Sequence, residues 1–241
     1  TLWVGTQDGG LNKLSDASFT PWGVREGLSA DVAWAVFVDR DGAVWSGTDS
    51  AGVNVRRGAK VSTIGVADGL AAPGVQAIWQ HPDGSVWLGT RGGGVSVVRG
   101  GRIVRTLRKA DGLASDSICA IAGTRDGSVF FGSRGGGGLT RLSPGGTLTR
   151  FGEKDGLLNG TVHALHEDRA GNLWIGTNGA GLFRFDGGRF TRFGQAQGLS
   201  IEIVNTIHEE TDGTLWIGTY GGGLNRFRDG LFTAATTREG L

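Results

Sequence analysis

Six near-identical hexapeptides divide the chain: TLWVGT from residue 1, AVWSGT from 43, SVWLGT from 85, SVFFGS from 128, NLWIGT from 172 and TLWIGT from 214. Their aromatic residues, Trp3, Trp45, Trp87, Phe130, Trp174 and Trp216, are separated by 42, 42, 43, 44 and 42 positions. A Gly-Leu pair keeps step with them, at Gly27-Leu28, Gly69-Leu70, Gly112-Leu113, Gly156-Leu157, Gly198-Leu199 and Gly240-Leu241. A fixed period of this size marks a repeat architecture, in which each unit is too small to bury its own apolar face and stacks on its neighbours. Both ladders run the length of the chain, so residues 1–241 read as one domain of six repeats of about 42 residues, with no linker.

Within a repeat, four short apolar runs alternate with turn signals. In the fifth, TVHALHED is followed by RAGN, LWIGT by NGAG, LFRFD by GG, and RFTRFG by QAQGLS. Short apolar alternation between Gly-rich breaks reads as strands. Asp-Gly at 41–42, 83–84, 126–127 and 212–213, with Ala-Gly at 170–171, suits the positive φ of a hairpin turn. The 47 glycines without a Gly-X-Y period fit many tight turns, not collagen. Four antiparallel strands per repeat of this length make a β-propeller blade. The strands are called A, innermost, to D, with B carrying the tryptophan.

The expected fold is therefore all-β, a β-propeller of about six four-stranded antiparallel blades. The chain begins in a strand B and stops where a further strand A would start, so the first blade lacks its innermost strand. With no methionine anywhere, the sequence reads as a piece cut from a longer chain, and an arc of a larger propeller stands as the alternative to six blades. The recurring Trp is expected to pack between blades, worth roughly 2 to 4 kcal/mol per ring by area. The Gly after it leaves room for a neighbouring backbone.

Composition excludes several functions. Lys+Arg 24 against Asp+Glu 23 gives a net charge of +1 and no basic patch for nucleic acid. The one cysteine, Cys119, has no partner for a disulfide or a thiolate metal site. No run approaches ~18 consecutive apolar residues, and the start lacks a signal-peptide layout. His163 and His166 are three apart on a strand, which puts them on opposite faces; His166 and His208 share a blade position and read as packing residues. DRDG at 39–42 opens like a calcium loop but lacks the later ligands. RGGGG at 134–138 opens a strand, with no helix to hold phosphate. No metal, cofactor or nucleophile-base set is expected, and His163 with Glu202 is the one acid-base pair that can be nominated.

Two sets of positions vary against this constant frame. Directly after Gly-Thr or Gly-Ser come Gln7, Asp49, Arg91, Arg134, Asn178 and Tyr220. Six residues after the Leu of Gly-Leu, near the start of strand A, come Trp34, Gln76, Cys119, His163 and Asn205. The B-to-C and D-to-A connections of a four-stranded blade emerge at the same end, so both sets are expected on one face, with amides and an aromatic ring suited to a sugar or another small polar ligand. The alternative is that they are solvated loop residues and satisfied channel groups.

The units DGLLNGTVHALHEDRAGNLWIGTNGAGLFRFDGGRFTRF and QGLSIEIVNTIHEETDGTLWIGTYGGGLNRF resemble the two-component regulator propeller repeat of bacterial hybrid histidine kinase sensors. The fourth unit, IAGTRDGSVFFGS, departs from the pattern by lacking the Glu-Asp and the Trp. The resemblance implies an extracytoplasmic, periplasmic sensing region, joined to the membrane and to a kinase or other output module only through segments outside this chain. It also implies sensors associated with carbohydrate use, and it admits a homodimer of the full-length protein. The expectation is a non-catalytic ligand-sensing or interaction propeller. A weaker resemblance to the streptogramin lyase type of propeller keeps a lyase as an alternative, beside a purely structural docking scaffold.

Overall fold

The computed structural model describes residues 2–15, 18–158 and 160–236. Thr1 of the first hexapeptide and the Gly240-Leu241 marker lie outside them. Residues group into two compact units, Thr1–Ile121 and Ala122–Leu241. In the first, β1 (Leu2–Gly5), β2 (Leu11–Ser15) and β3 (Ser18–Trp22) make a three-stranded sheet. Two four-stranded sheets follow: β4 (Ala33–Val38), β5 (Val44–Thr48), β6 (Val53–Arg57) and β7 (Lys60–Ile64), then β8 (Val75–Gln80), β9 (Val86–Thr90), β10 (Val95–Arg99) and β11 (Arg102–Leu107). The fourth sheet is β12 (Ile118–Gly123), within which the division falls, β13 (Val129–Ser133), β14 (Leu139–Leu142) and β15 (Leu148–Phe151).

The second unit continues with β16 (Val162–Glu167), β17 (Leu173–Thr177), β18 (Leu182–Phe185) and β19 (Phe190–Phe193), then β20 (Val204–Glu209), β21 (Leu215–Thr219), β22 (Leu224–Arg228) and β23 (Leu231–Ala235). Strand order within each sheet is sequential. The described residues thus form six propeller blades, the first with three strands as expected, and the first strands of successive blades lie side by side, β4 with β8 and β16 with β20.

Strands β5, β9, β13 and β17 are buried at every residue. That explains why the hexapeptide reads as a continuous apolar run instead of alternating: both faces of strand B are covered. The turn before it is longer than a two-residue hairpin. Asp39 and Asp168 donate their N–H to the carbonyls of Ala43 and Asn172, and only the glycine, Gly42 or Gly171, takes positive φ, near 79° and 87°. The glycine within the hexapeptide answers a different need. A Cβ on Gly47 would stand 2.7 Å from the Val75 carbonyl oxygen, and one on Gly176 would stand 2.6 Å from Val204 Cγ1, both in strand A of the next blade.

The D-to-A connection contains a single 3-10 turn, as at Val66–Asp68 and Glu153–Asp155. The acid of Asp-Gly-Leu accepts the N–H that opens this turn, Gly65 to Asp68 and Gly152 to Asp155, both at 2.9 Å. The leucine that follows, Leu70 or Leu157, is buried.

Trp45 and Trp174 fill junctions between blades. Trp174 lies 5.5 Å from Phe193 of its own blade and 5.3 Å from Phe227 of the next, within an apolar cluster that includes Leu199, Val204, Leu215 and Ile217. Trp45 packs with Val86, Leu88 and Val98 of the following blade. In the first junction the Arg56 guanidinium stacks 4.1 Å from the Trp22 ring and 5.4 Å from that of Trp3. Trp45 and Trp174 thus pack between blades.

The ring also carries a buried N–H that needs an acceptor. Trp45 donates to Asp39 Oδ2 at 2.8 Å and Trp174 to Asp168 Oδ2 at 2.7 Å, each to an acid six residues earlier. In the third blade that position is His81, which stacks on Trp87 at 5.8 Å, and the indole N–H goes to Ser85 Oγ at 2.9 Å.

Candidate functional site

The two ends of each blade junction are tied differently. At one end, the B-to-C loop reaches the next blade's D-to-A loop: Gly52 donates to the Pro73 carbonyl, Gly94 to that of Asp116, and Gly181 to that of Glu202, at 2.7 to 2.9 Å. The threonine closing the hexapeptide locks the same loop, since Thr48 and Thr177 each donate to a glycine carbonyl and accept an N–H three residues on. The two kinds of connection therefore share an end.

Both varied sets stand there on fixed backbone. Arg91, Asn178 and Tyr220 each donate the main-chain N–H to the residue just before their own strand A, Gly74, Thr161 and Ile203, at 2.8 to 3.0 Å. Gln7, Arg91, Arg134, Asn178 and Tyr220 are exposed, Tyr220 at 71%, and Asp49 is half-buried and accepts from Ser50.

The second set has a structural identity that spacing does not disclose. Pairing of strands A and B skips one residue between Ala33 and Ala35, Val75 and Ala77, Val162 and Ala164, and Val204 and Thr206. The skipped residues are Trp34, Gln76, His163 and Asn205, so each is the extra residue of a β-bulge, a device that re-aims a side chain out of the ladder. Trp34 is 40% exposed, Asn205 is exposed, and Gln76, His163 and Cys119 are half-buried.

The structure brings some of these together. The Arg91 guanidinium lies 5.8 Å from the centre of the Trp34 ring, joining one set to the other across blades two and three. His163 Nδ1 is 3.2 Å from Asn205 Oδ1 across blades five and six. The nominated acid-base pair is divided between other partners: His163 meets Asn205, while Glu202 is ion-paired to Arg192 at 2.6 Å. His166 is half-buried, with Nε2 3.5 Å from Glu209, whereas His208 is exposed, so a packing role fits His166 alone. Among the described residues, no three His, Cys, Asp or Glu side chains gather to hold a metal.

At the other end, an arginine of the A–B turn staples blades two, four and five each to the next, where blade three has Pro82. The Arg40 N–H donates to Gln80 Oε1 and its guanidinium to the Pro82 carbonyl, both at 3.0 Å. Arg125 donates its N–H and Nε to Glu167 and its remaining nitrogens to the Arg169 and Asp168 carbonyls. Arg169 repeats the pattern on Glu209 and the Thr211 carbonyl. These residues were not singled out from the sequence, although their common place after the last residue of the A strand's polar end was readable.

The clefts at this end include one between neighbouring blades in each unit. The first, about 300 Å³, lies between blades two and three and is lined by Asp39, Trp45, Arg57, Gln80 and Val98. The second, about 360 Å³, lies between blades four and five and is lined by Thr124, Asp126, Phe130, Arg141, Phe185 and Asp186, with Arg125 and Glu167 at its rim. The Thr124 hydroxyl, foremost, holds the Asp126 carboxyl below the usual carboxylate range; burial opposes this, and Ser128 and Arg141 reinforce it. Burial pushes the Asp168 carboxyl up, yet donation from the Asn172 side chain and the Trp174 indole outweighs it and leaves the group low.

Comparison with known proteins agrees with this architecture. The sequence profile of the family described as "Two component regulator propeller" matches residues 156–179 and 198–221. The extracellular domain of the putative hybrid two component system BT3049 from B. thetaiotaomicron superposes with a TM-score of 0.88 at 20% identity, over 99% of this chain and 33% of that one. That of BT4673 from the same organism gives 0.79 at 20% identity, over 98% and 34%. Virginiamycin B lyase from Staphylococcus aureus gives 0.78 at 14% identity, over 96% and 78%. At these identities the likeness is one of fold, the β-propeller, and this chain spans about a third of the two extracellular domains. No curated protein matches the chain by sequence.

Proposed function

We propose that this chain, which carries the two-component regulator propeller repeat, is a non-catalytic ligand-sensing propeller from the extracytoplasmic part of a signal-transducing receptor. The observation that carries the reading is made in each unit by itself: Trp34 and Gln76 stand on bulges with Arg91 on a braced loop in the first, and His163 and Asn205 stand on bulges with the exposed Asn178 and Tyr220 on braced loops in the second. Chemistry that differs from blade to blade on a backbone that does not is what a recognition face requires. An aromatic ring with a guanidinium, and an imidazole with an amide, supply stacking and directed hydrogen bonds for a sugar or another small polar solute. The partners of His163 and Glu202 favour binding over general acid-base chemistry. Signalling belongs to segments outside this chain, and no helix among the described residues is long and apolar enough to cross a membrane.

Calorimetric titration and thermal shift with neutral and acidic mono- and oligosaccharides test the reading. A solute should bind saturably and be recovered chemically unchanged. Trp34→Ala or Arg91→Ala should weaken a solute held by the first unit, and His163→Ala one held by the second, by about tenfold or more, about 1.4 kcal/mol, without moving the melting temperature. Turnover of the solute, or binding indifferent to all three substitutions, would overturn it.

A further inference from the structure

The cleft between blades four and five lies where the frame changes its own rule. In blades two and five the junction is filled by an indole whose N–H reaches Asp39 or Asp168. Blade four puts Phe130 in that seat and Thr124 at the acceptor position, and Thr124 turns its hydroxyl to Asp126. A phenyl ring is smaller than an indole and carries no donor. The cleft beside it, about 360 Å³, falls in the ~300–1,000 Å³ range of small-molecule sites and exceeds the ~150 Å³ of a dry cavity that admits benzene.

Two of its lining side chains, Phe130 and Phe185, are aromatic, and the Arg141 guanidinium lies 6.0 Å from the centre of the Phe130 ring. Phe130 and Phe185 meet edge-on at 6.3 Å, and Phe151 and Phe190 back Phe185 at 5.3 and 4.6 Å. Three carboxylates at the mouth, Asp126, Glu167 and Asp186, outnumber the guanidinium groups of Arg125 and Arg141. Arg125 is engaged by Glu167 and two carbonyls, and Arg141 by Asp126 and Ser128. Asp186 accepts the N–H groups of Gly188 and Arg189 within its own turn. The Arg189 and Gly188 N–H groups, with Arg184 nearby, hold that carboxyl below the usual carboxylate range.

We infer that this cleft binds a planar aromatic molecule carrying an amine, with the ring against Phe130 and Phe185 and the ammonium at the mouth carboxylates, Asp186 foremost. Aromatic rings favour stacked or edge-on partners, and the Asp186 carboxylate, which has no ion pair of its own among the contacts described above, offers a counter-charge to an ammonium. The cleft between blades two and three is the internal control. There the indole of Trp45 fills the seat, Asp39 is already its acceptor, and Val98 stands where Phe185 stands, so no second aromatic wall is offered.

Tryptamine is the probe, with indole as its neutral and indole-3-acetate as its charge-reversed counterpart, measured by saturation-transfer NMR and calorimetry on the whole chain. Tryptamine should bind at one site, indole about tenfold more weakly, and indole-3-acetate not at all. Asp186→Asn should bring tryptamine to the level of indole. Phe130→Trp with Thr124→Asp, which rebuilds the blade-five seat, should abolish binding while the cooperative melt survives. If that double variant does not fold, Phe185→Val, which imports the blade-three wall, should weaken tryptamine by a similar tenfold factor. Absence of saturable tryptamine binding, equal binding of indole-3-acetate, or affinity unchanged by Asp186→Asn and by every folded wall variant overturns the inference. None of these results bears on solute binding at the opposite end, which is read with sugars and with other variants.

Discussion

Blades four and five are neighbours with the same strand order and nearly the same register, yet they fill the same junction position in different ways. Blade five uses Trp174 with Asp168 as its acceptor; blade four uses Phe130, and the acid is replaced by Thr124. The aromatic ring persists and the hydrogen bond does not. What every junction needs is apolar volume between sheets, and the polar pairing exists because an indole brings a buried N–H that must be satisfied. The acid and the indole are one device, present or absent together in these two blades.

The comparison can be broken most directly at the ring. Trp174→Ala and Phe130→Ala should each cost about 3–5 kcal/mol in chemical denaturation; a cost confined to Trp174 would show that volume is not the shared requirement. Trp174→Phe, which makes blade five resemble blade four, should cost about 1–3 kcal/mol, because Asp168 keeps its burial and loses a donor. Rebuilding blade four with Thr124→Asp and Phe130→Trp should show a favourable coupling of about 0.5–3 kcal/mol in a double-mutant cycle; additivity would separate the acid from the indole.

Acid sharpens the contrast further. The lowered Asp168 carboxyl contributes stability that is complete above its unfolded value of ~3.9 and is lost as pH falls through the lower folded value. Asp168→Asn should therefore flatten the stability profile below about pH 4, read as melting temperature against pH. Smallest of all, Tyr220→Ala on an exposed loop should change stability by no more than about 0.5 kcal/mol, measured by the same denaturation.

Much of the fold was written in the hexapeptide and its spacing. A Trp recurring with a following Gly dictates close strands with a large filler between them, and the Asp-Gly-Leu ladder marks the turns because each acid accepts a specific N–H. The varied residues were visible as breaks in a pattern, but that Trp34, Gln76, His163 and Asn205 are bulge residues was not. A bulge is a property of pairing between two strands, and strand A alone carries no mark of it. The clefts at the far end were hidden for a related reason: Phe130, Phe185 and Asp186 come from two blades, and their meeting depends on how the sheets stack. The fourth unit's departure from the repeat was the available signal, and it was legible only as an irregularity.

The bulges have a further consequence for how such a chain is diversified. A side chain left out of the cross-strand ladder has no partner opposite it on strand B, so substitution there is decoupled from the register that holds strands A and B together. Positions 34 and 76 in the first unit, and 163 and 205 in the second, are thus ready-made mutable sites: a combinatorial library at them can explore new chemistries while the scaffold that displays them keeps its own pairing.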